Sequence, residues 1–173
     1  MKKRLIIGGL LAVSAGAQAE PGVTMSGDWG RGINRTGSHY ASTINPSGSA
    51  LGQLCSSQGN CWYTLKVSEV RCNKDTRNIG LAASTLGSES IPLRCIDGNV
   101  YVIEDFDDMD FTVRNAASVG IVIPLVSGEF SVSRFSLRGS TYAIDGMRAA
   151  AQRTTDQRRA TPAVRGRTAD IRI

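Results

Sequence analysis

The sequence predicts a mainly β fold, an antiparallel β-sandwich or open barrel that is stapled by disulfides and closed by one short C-terminal helix. Three features support this prediction: runs in which apolar and polar residues alternate, turn residues between those runs, and four cysteines among 173 residues. The clearest runs lie within residues 91–103, which we interpret as a central hairpin around the turn Asp97-Gly98-Asn99. Cys95 shares a strand face with Ile91 and Leu93, so we expect it to point inward.

Residues 1–19 have the three parts of a secretory signal peptide. A basic start precedes an apolar run, and Ala17-Gln18-Ala19 forms a cleavage site of small residues. The apolar run is shorter than a membrane-spanning helix requires, and no later run reaches that length, so we expect no transmembrane span. The sequence therefore predicts a soluble mature chain that begins at Glu20 and is periplasmic or secreted.

Residues 20–54 are rich in Gly, Ser, Thr and Asn and follow neither the strand period nor the helix period. We therefore predict a largely irregular N-terminal segment. Its most conspicuous side chain is Trp29, for which two interpretations exist. Trp29 could form a binding platform, but a tryptophan near a mature N-terminus more commonly plugs the edge of a core, and we favour that interpretation. His39, the only histidine of the chain, lies in the same segment.

Residues 55–151 are predicted to form the β-rich domain and its closing helix. Strand alternation is clean over residues 62–70 and recurs at 79–85, 120–125 and 130–137. In the last run the apolar parity changes between Val132 and Phe135, so we expect a β-bulge near Arg134. Ser140 has the character of an N-cap, and the residues after it place an apolar stripe on one helix face, with Gly146 as a weak point worth about 1 kcal/mol against Ala.

The four cysteines predict two structural disulfides in an oxidising compartment. Four cysteines allow three pairings, and we expect Cys55 with Cys61 and Cys72 with Cys95. The first bond would close a short turn, and the second would tie the end of one strand to the central hairpin. Because the chain has no Cys-x-x-Cys spacing, we expect an inert scaffold and not a redox protein.

Residues 104–110 contain five acidic side chains. Asp105, Asp107 and Asp108 are candidate ligands for a calcium ion, because alternating carboxylates offer hard oxygen donors. The loop lacks a glycine at its sixth position, however, and Ala116 stands where the twelfth position requires Glu. We therefore favour a solvated loop whose apolar residues reach the core, and a paired-carboxylate hydrolase is an alternative.

Residues 152–173 are predicted to form a disordered basic tail, because they contain many arginines and almost no large apolar side chains. The body of the chain is by contrast slightly acidic, so the net charge of +5 comes from the two ends. In an exported protein the polyanions within reach are anionic surface polymers, envelope lipids and acidic proteins. We therefore expect no nucleic acid as a partner.

Gly27-Asp28-Trp29 and the segment Phe-Ser-Leu-Arg-Gly-Ser at residues 135–140 resemble the invasion-associated locus B family of exported bacterial proteins. That resemblance implies a β-rich, cysteine-containing domain without known catalytic residues, which acts at the cell envelope or toward a host surface. The central Leu-Arg-Cys hairpin and the closing helix also look like periplasmic accessory proteins of type VI secretion. These two resemblances remain as alternatives at this point.

The chain lacks the residue patterns of the common catalytic sites. It has one histidine, no Gly-x-Ser-x-Gly elbow, no phosphate loop and no dinucleotide fingerprint. We therefore expect a non-enzymatic, cofactor-free binding or accessory protein of the bacterial envelope, with an envelope or secreted protein as partner or an anionic surface polymer bound by the basic tail. The alternatives are an accessory protein of a secretion system, an inhibitor of an envelope hydrolase and a carboxylate-dependent hydrolase.

Overall fold

A computed structural model describes residues 22–125 and 127–160, and within them the chain forms ten β-strands and two α-helices. The strands are β1 (Thr24–Ser26), β2 (Trp29–Ile33), β3 (His39–Ile44), β4 (Ala50–Cys55), β5 (Cys61–Lys66), β6 (Arg77–Ser84), β7 (Gly87–Asp97), β8 (Val100–Ile103), β9 (Ser118–Pro124) and β10 (Phe130–Ser136), and the helices are α1 (Phe106–Asn115) and α2 (Ser140–Ala160). The predicted signal peptide and its cleavage site lie outside the described residues, as do residues 161–173 of the predicted tail.

All ten described strands belong to one antiparallel sheet with the order β1-β2-β3-β4-β5-β8-β7-β6-β9-β10. The predicted central hairpin is the pair β7–β8, in which buried Leu93 lies opposite buried Ile103. Gly98 makes its turn with a φ of +49°, a conformation that glycine adopts without strain. The mainly antiparallel β fold predicted from the sequence is confirmed.

The two ends of the sheet meet at one corner, where the turn between β1 and β2 touches the turn between β10 and α2. The backbone N–H of Asp28 donates to the carbonyl of Arg138 at 2.9 Å. Gly139 has a φ of +88°, and a Cβ at this position would overlap the carbonyl oxygen of Ser26. Only glycine lets the two turns approach this closely, so this corner holds the first and last strands together.

Helix α2 packs against β1, β2, β3 and β4. It does so through the predicted apolar stripe, whose side chains are all at most 3% exposed: Ala143, Ile144, Met147 and Ala151. Burying a side chain the size of Ile144 or Met147 stabilises the fold by about 1.5–3 kcal/mol, which is enough to fix the helix on the sheet. The predicted C-terminal helix is therefore confirmed, although it is longer than expected.

The prediction of an irregular segment over residues 20–54 is wrong, because the structure places strands β1 to β4 there. The buried face of β3 shows why the strand pattern was hidden. It consists of His39, Ala41 and Thr43, which are small or polar because α2 packs directly over them. A strand whose inner face carries such residues lacks the apolar alternation from which strands are predicted.

The acidic stretch is helical and does not form the predicted loop. Asp105 is the N-cap of α1, and its side chain accepts a hydrogen bond from the backbone N–H of Asp108. Asp107 and Asp108 occupy the first turn, where carboxylates interact favourably with the helix dipole. Met109 is fully buried, as expected, but Phe111 is 62% exposed. An aspartate N-cap followed by acidic residues was the sequence signal for this helix.

The predicted disordered tail is helical over its first nine residues, because α2 continues to Ala160. Thr155 explains the extension: its side chain is only 6% exposed, and its hydroxyl lies 3.2 Å from the carbonyl of Ser57. A hydrogen bond from a polar side chain to a loop can anchor a helix. Such a residue adds nothing to the apolar pattern from which the helix was predicted. Neither helix in the described residues is long and apolar enough to span a membrane.

Two disulfides connect the cysteines in the predicted pairing. Cys55 and Cys61 are directly opposed in the β4–β5 pair, and their bond closes that hairpin. Cys72, in the segment after β5, is bonded to Cys95 of β7. Cys95 is fully buried, which agrees with its expected inward orientation.

Candidate functional site

Asp110 of α1 is the centre of a polar cluster that joins both helices to the sheet. Its Oδ1 atom accepts hydrogen bonds from the Tyr63 hydroxyl at 2.7 Å and from Nη2 of Arg148 at 2.6 Å. Its Oδ2 atom accepts from Nε of Arg114 at 2.9 Å. Arg148 also donates to Oε1 of Gln53 at 2.7 Å. We call these residues, Gln53, Tyr63, Asp110, Arg114 and Arg148, the Asp110 cluster.

The electrostatics of the Asp110 cluster favour an ionised carboxylate. Burial by itself raises the pKa of Asp110, but the hydrogen bond from Tyr63 and the charges of Arg148 and Arg114 outweigh it, so the pKa lies below its ordinary value. Burial, together with the hydrogen bond to Asp110, raises the pKa of Tyr63. A carboxylate held in this state is a poor general acid, and we interpret the cluster as a connection between helices and sheet.

The other acidic residues of this stretch do not gather around Asp110. Among the described residues no three His, Cys, Asp or Glu side chains form a group that could hold a metal ion. Of the calcium candidates, Asp105 is used as the N-cap, and Asp107 and Asp108 are exposed on the first turn of α1. The charge of neighbouring Asp105 raises the pKa of Asp108. The candidate set Asp105, Asp107 and Asp108 is therefore not assembled as a calcium loop.

Trp29 is not a binding platform. Its side chain is fully buried, and its Nε1–H donates to the carbonyl of Ser136 at 3.0 Å. Beside it, the carboxylate of Asp28 accepts two hydrogen bonds from Arg138 and one from the hydroxyl of Ser136. The two segments that carry the family resemblance thus contact each other and hold the sheet corner closed.

A group of large apolar side chains is exposed on the outer face of neighbouring strands β6, β9 and β10. In β6, Ile79 and Leu81 are 62% and 39% exposed, and in β10 Phe130 and Val132 are 67% and 56% exposed. The strand register places Val122 of β9 between Leu81 and Val132. We call these four side chains, Ile79, Leu81, Phe130 and Val132, the outer patch.

The outer patch explains why the prediction of a bulge near Arg134 is wrong. β10 pairs with β9 in continuous register from Phe130↔Pro124 to Ser136↔Ser118. The chain therefore keeps one parity, with Phe135 buried and Val132 exposed, and does not bend to bury both. The change of apolar parity in the sequence was thus the signal for an exposed apolar surface.

His39 lies on β3 beneath α2 and is only 4% exposed. Its Nε2 atom is 3.0 Å from the hydroxyl of Thr154 on α2. Burial lowers the pKa of His39, and the charge of Arg153 lowers it further. His39 also lines a cavity between α2 and the first strands. None of the described residues that line this cavity is acidic, and none of them offers His39 a carboxylate that would orient it as a catalytic base.

Comparison with known proteins bears on the fold. Neither the protein-family models nor the curated protein sequences give a match to this chain. Among solved structures, invasion associated protein B from Bartonella henselae superimposes with a TM-score of 0.58 and 12% sequence identity. The superposition covers 75% of this chain and 98% of that protein. The resemblance to invasion-associated locus B proteins that the sequence indicated is thus confirmed at the level of the fold.

Proposed function

We propose that this chain is an exported, non-enzymatic binding protein of the bacterial cell envelope, and that it binds a protein partner through the outer patch. The observation that carries the proposal is the exposure of Ile79, Leu81, Phe130 and Val132 on one face of adjacent strands. Isolated exposed apolar residues are normal, but a contiguous group of large ones is typical of an interaction surface.

The surroundings of the outer patch support a protein partner. β10 is the last strand of the sheet, so no further strand of the described chain pairs with its outer edge. Charged residues lie on the flanks of the same face: Arg134 on β10 is exposed, and Arg77 and Arg94 both contact Glu104. An apolar centre with a polar rim is the usual arrangement in protein interfaces.

An exported location is supported by three independent features. The first residues have the pattern of a signal peptide, and all four cysteines are in disulfides, which persist in oxidising compartments. The fold is also that of an invasion associated protein. Within this proposal, an accessory protein of a secretion system and an inhibitor of an envelope hydrolase are special cases that differ in the identity of the partner.

A carboxylate-dependent hydrolase has less support. Of the acidic residues in the stretch, Asp110 is the most enclosed, and it is engaged by Tyr63, Arg114 and Arg148. The other carboxylates are on the exposed first turn of α1 or hold its N-cap. A general acid needs a raised pKa inside a cleft, and none of these groups combines the two.

The basic end of the chain carries a second candidate partner, an anionic surface polymer. Arg158 and Arg159 lie in the last turn of α2 and are exposed, and further arginines follow in residues 161–173. Exposed cations attract polyanions in a salt-dependent way. Truncation after Ala160 should weaken binding to vesicles that contain phosphatidylglycerol, most clearly at low salt. Equal binding by both proteins would argue against this candidate.

The protein partner is tested by site-specific photo-crosslinking in the exported protein. A photoreactive residue at position 130 or 132 should give one discrete adduct. The same photoreactive residue placed at position 142 should give no discrete adduct. Tyr142 is a matched control because it is 75% exposed but lies on α2. Adding Leu81→Ser to the chain labelled at position 132 should abolish the adduct while the melting temperature stays the same, since surface substitutions change stability by about 0.5 kcal/mol or less.

Three outcomes of this experiment would contradict the proposal. The first is an adduct from Tyr142 as strong as that from positions 130 and 132. The second is the absence of a discrete adduct from either patch position. The third is an adduct with the mass of two copies of this chain, because the patch would then be a dimer interface and not a surface for a partner.

A further inference from the structure

A cavity of about 220 Å³ lies between α2 and strands β1 to β3. Its polar lining consists mainly of three cationic or titratable side chains, Arg31 of β2, His39 of β3 and Arg153 of α2. Its apolar lining includes Met147 and Ala150 of α2. The cavity is smaller than the range of about 300–1,000 Å³ that is common for drug-sized ligands, so its size suits a small ligand.

The guanidinium of Arg31 lies against α2 at Gly146, where the helix has no side chain. A Cβ at Gly146 would overlap Nη1 of the Arg31 guanidinium. Glycine in a helix interior destabilises the helix by about 1 kcal/mol relative to alanine. Here that loss is offset by the close contact with Arg31, which a larger residue would prevent. Gly146, which the sequence marked only as a weak point of the helix, makes room for the guanidinium of Arg31.

The hydrogen bonds of His39 leave one ring nitrogen for a ligand. The Thr154 hydroxyl lies 3.1 Å from the carbonyl of Ala150, which it reaches as a donor, and 3.0 Å from Nε2 of His39. A hydroxyl has one hydrogen, so both bonds form together only when Nε2 of His39 is the donor to Thr154. Among the described residues Nδ1 of His39 then has no hydrogen-bond partner.

Within residues 22–125 and 127–160, no acidic side chain compensates the positive charge of the cavity, because no Asp or Glu of these ranges lines it. Arg114 and Arg148 each have a carboxylate partner at 2.9 Å or less, whereas neither Arg31 nor Arg153 has an ion pair within the described part of the chain. Unpaired guanidinium groups facing a concave site attract oxyanions and bind them through paired N–H donors.

We propose that this cavity is a binding site for one phosphate group carried by a small ligand, with Arg31 and Arg153 as donors to the phosphate oxygens and Nδ1 of His39 as an acceptor for a hydroxyl of the protonated phosphate or of the ligand. Met147 and Ala150 face the uncharged part of that ligand. The site lies on the α2 side of the sheet and uses no residue of the outer patch, so it is independent of the proposed protein partner.

The test uses the full exported chain without a histidine tag, so that His39 gives the only imidazole signals in an NMR spectrum. Titration with inorganic phosphate, and separately with glycerol 3-phosphate, should shift these signals along a saturable curve at constant pH. Sodium chloride at matched ionic strength should not. Vesicles of phosphatidylcholine with and without phosphatidic acid distinguish a lipid headgroup from a soluble phosphate ester as the source of the group.

Substitutions then assign the site. Arg153→Gln should weaken the affinity for phosphate by about tenfold, since a charge-assisted hydrogen bond is lost. Arg153 is exposed, so this variant should fold normally. Gly146→Ala should weaken binding by displacing Arg31. The matched control is Arg134→Gln, which removes an exposed arginine of β10 and should leave the affinity unchanged.

Two results would overturn the proposal. One is a His39 signal that responds to phosphate no more than to chloride. The other is an equal affinity in the Arg153→Gln and Arg134→Gln variants. Leu81→Ser, which tests the protein partner, should leave phosphate binding intact, so the failure of one proposal is distinguishable from the failure of the other.

Discussion

Nη2 of Arg148 on α2 lies 2.6 Å from Oδ1 of Asp110 on α1, and this ion pair connects two helices that are separated by β9 and β10 in the chain. Arg148 is 32% and Asp110 19% exposed, so the pair is partly shielded from water. Such pairs weakly favour the folded state when intact, but breaking one leaves a partly buried charge without its partner.

Asp110→Asn should therefore destabilise the protein by about 2–3 kcal/mol, because both Arg148 and Arg114 lose their shared carboxylate. Urea denaturation measures the effect. Asp107→Asn, which changes an exposed acid in the first turn of the same helix, is the control and should cost less than about 1 kcal/mol. Equal losses in the two variants would show that the Asp110 cluster does not connect the helices.

Acidification below about pH 6.5 should destabilise the protein through His39. The pKa of His39 is lowered in the folded chain by burial and by Arg153, whereas the unfolded chain has the ordinary value of 6.5. Below pH 6.5 the unfolded state therefore binds the proton more readily, and stability falls as the pH falls toward the folded pKa. In His39→Gln the free energy of unfolding should be nearly constant between pH 7.5 and pH 5.5. A wild-type curve that is equally flat would contradict the lowered pKa.

Removing the two disulfides should have unequal effects. The bond between Cys72 and Cys95 spans 23 residues and that between Cys55 and Cys61 spans 6. Chain entropy then predicts a loss of about 3 kcal/mol for the double alanine variant of the first pair and about 2 kcal/mol for that of the second. Thermal unfolding under non-reducing conditions would measure both. A larger loss for the shorter loop would mean that strain or packing outweighs loop length.

Truncation of α2 gives a different result from the one expected for a disordered tail. A chain that ends at Ala151 loses the contact of Thr154 with His39 and the hydrogen bond of Thr155 with Ser57, so it should be less stable by about 1–2 kcal/mol. A chain that ends at Ala160 retains every described contact and should melt at the wild-type temperature. If the two truncated proteins melted at the same temperature, residues 152–160 would not stabilise the fold.

Gly139→Ala should destabilise the corner where the sheet ends meet by more than about 2 kcal/mol. The residue has a φ of +88°, and the added Cβ would overlap the Ser26 carbonyl. Gly128→Ala is a matched control, since its φ is +87° and its Cβ would meet no atom within 4 Å. The control should show only the conformational cost of about 1 kcal/mol. Similar losses in both variants would show that the contact between the two turns contributes little.

The sequence by itself determined the features that depend on neighbouring residues. Strand alternation and the Asp97-Gly98-Asn99 turn specified the central hairpin, and the spacing of the cysteines along the strands specified both disulfides. The apolar stripe after Ser140 likewise specified the start of α2 and the face that it buries. These signals are local, since side-chain period and turn chemistry act over a few residues.

Only the tertiary structure decided what depends on residues far apart in the chain. Gln53, Asp110 and Arg148 contact one another across three elements, and no pattern in the sequence relates them. The same holds for Arg31 and Gly146, whose contact depends on how α2 crosses β2. β3 was not predicted because its inner residues His39, Ala41 and Thr43, which lie under α2, are small or polar and do not give an alternation in hydrophobicity. Packing between distant segments, and not local preference, thus decides both the N-terminal strands and the two candidate binding surfaces.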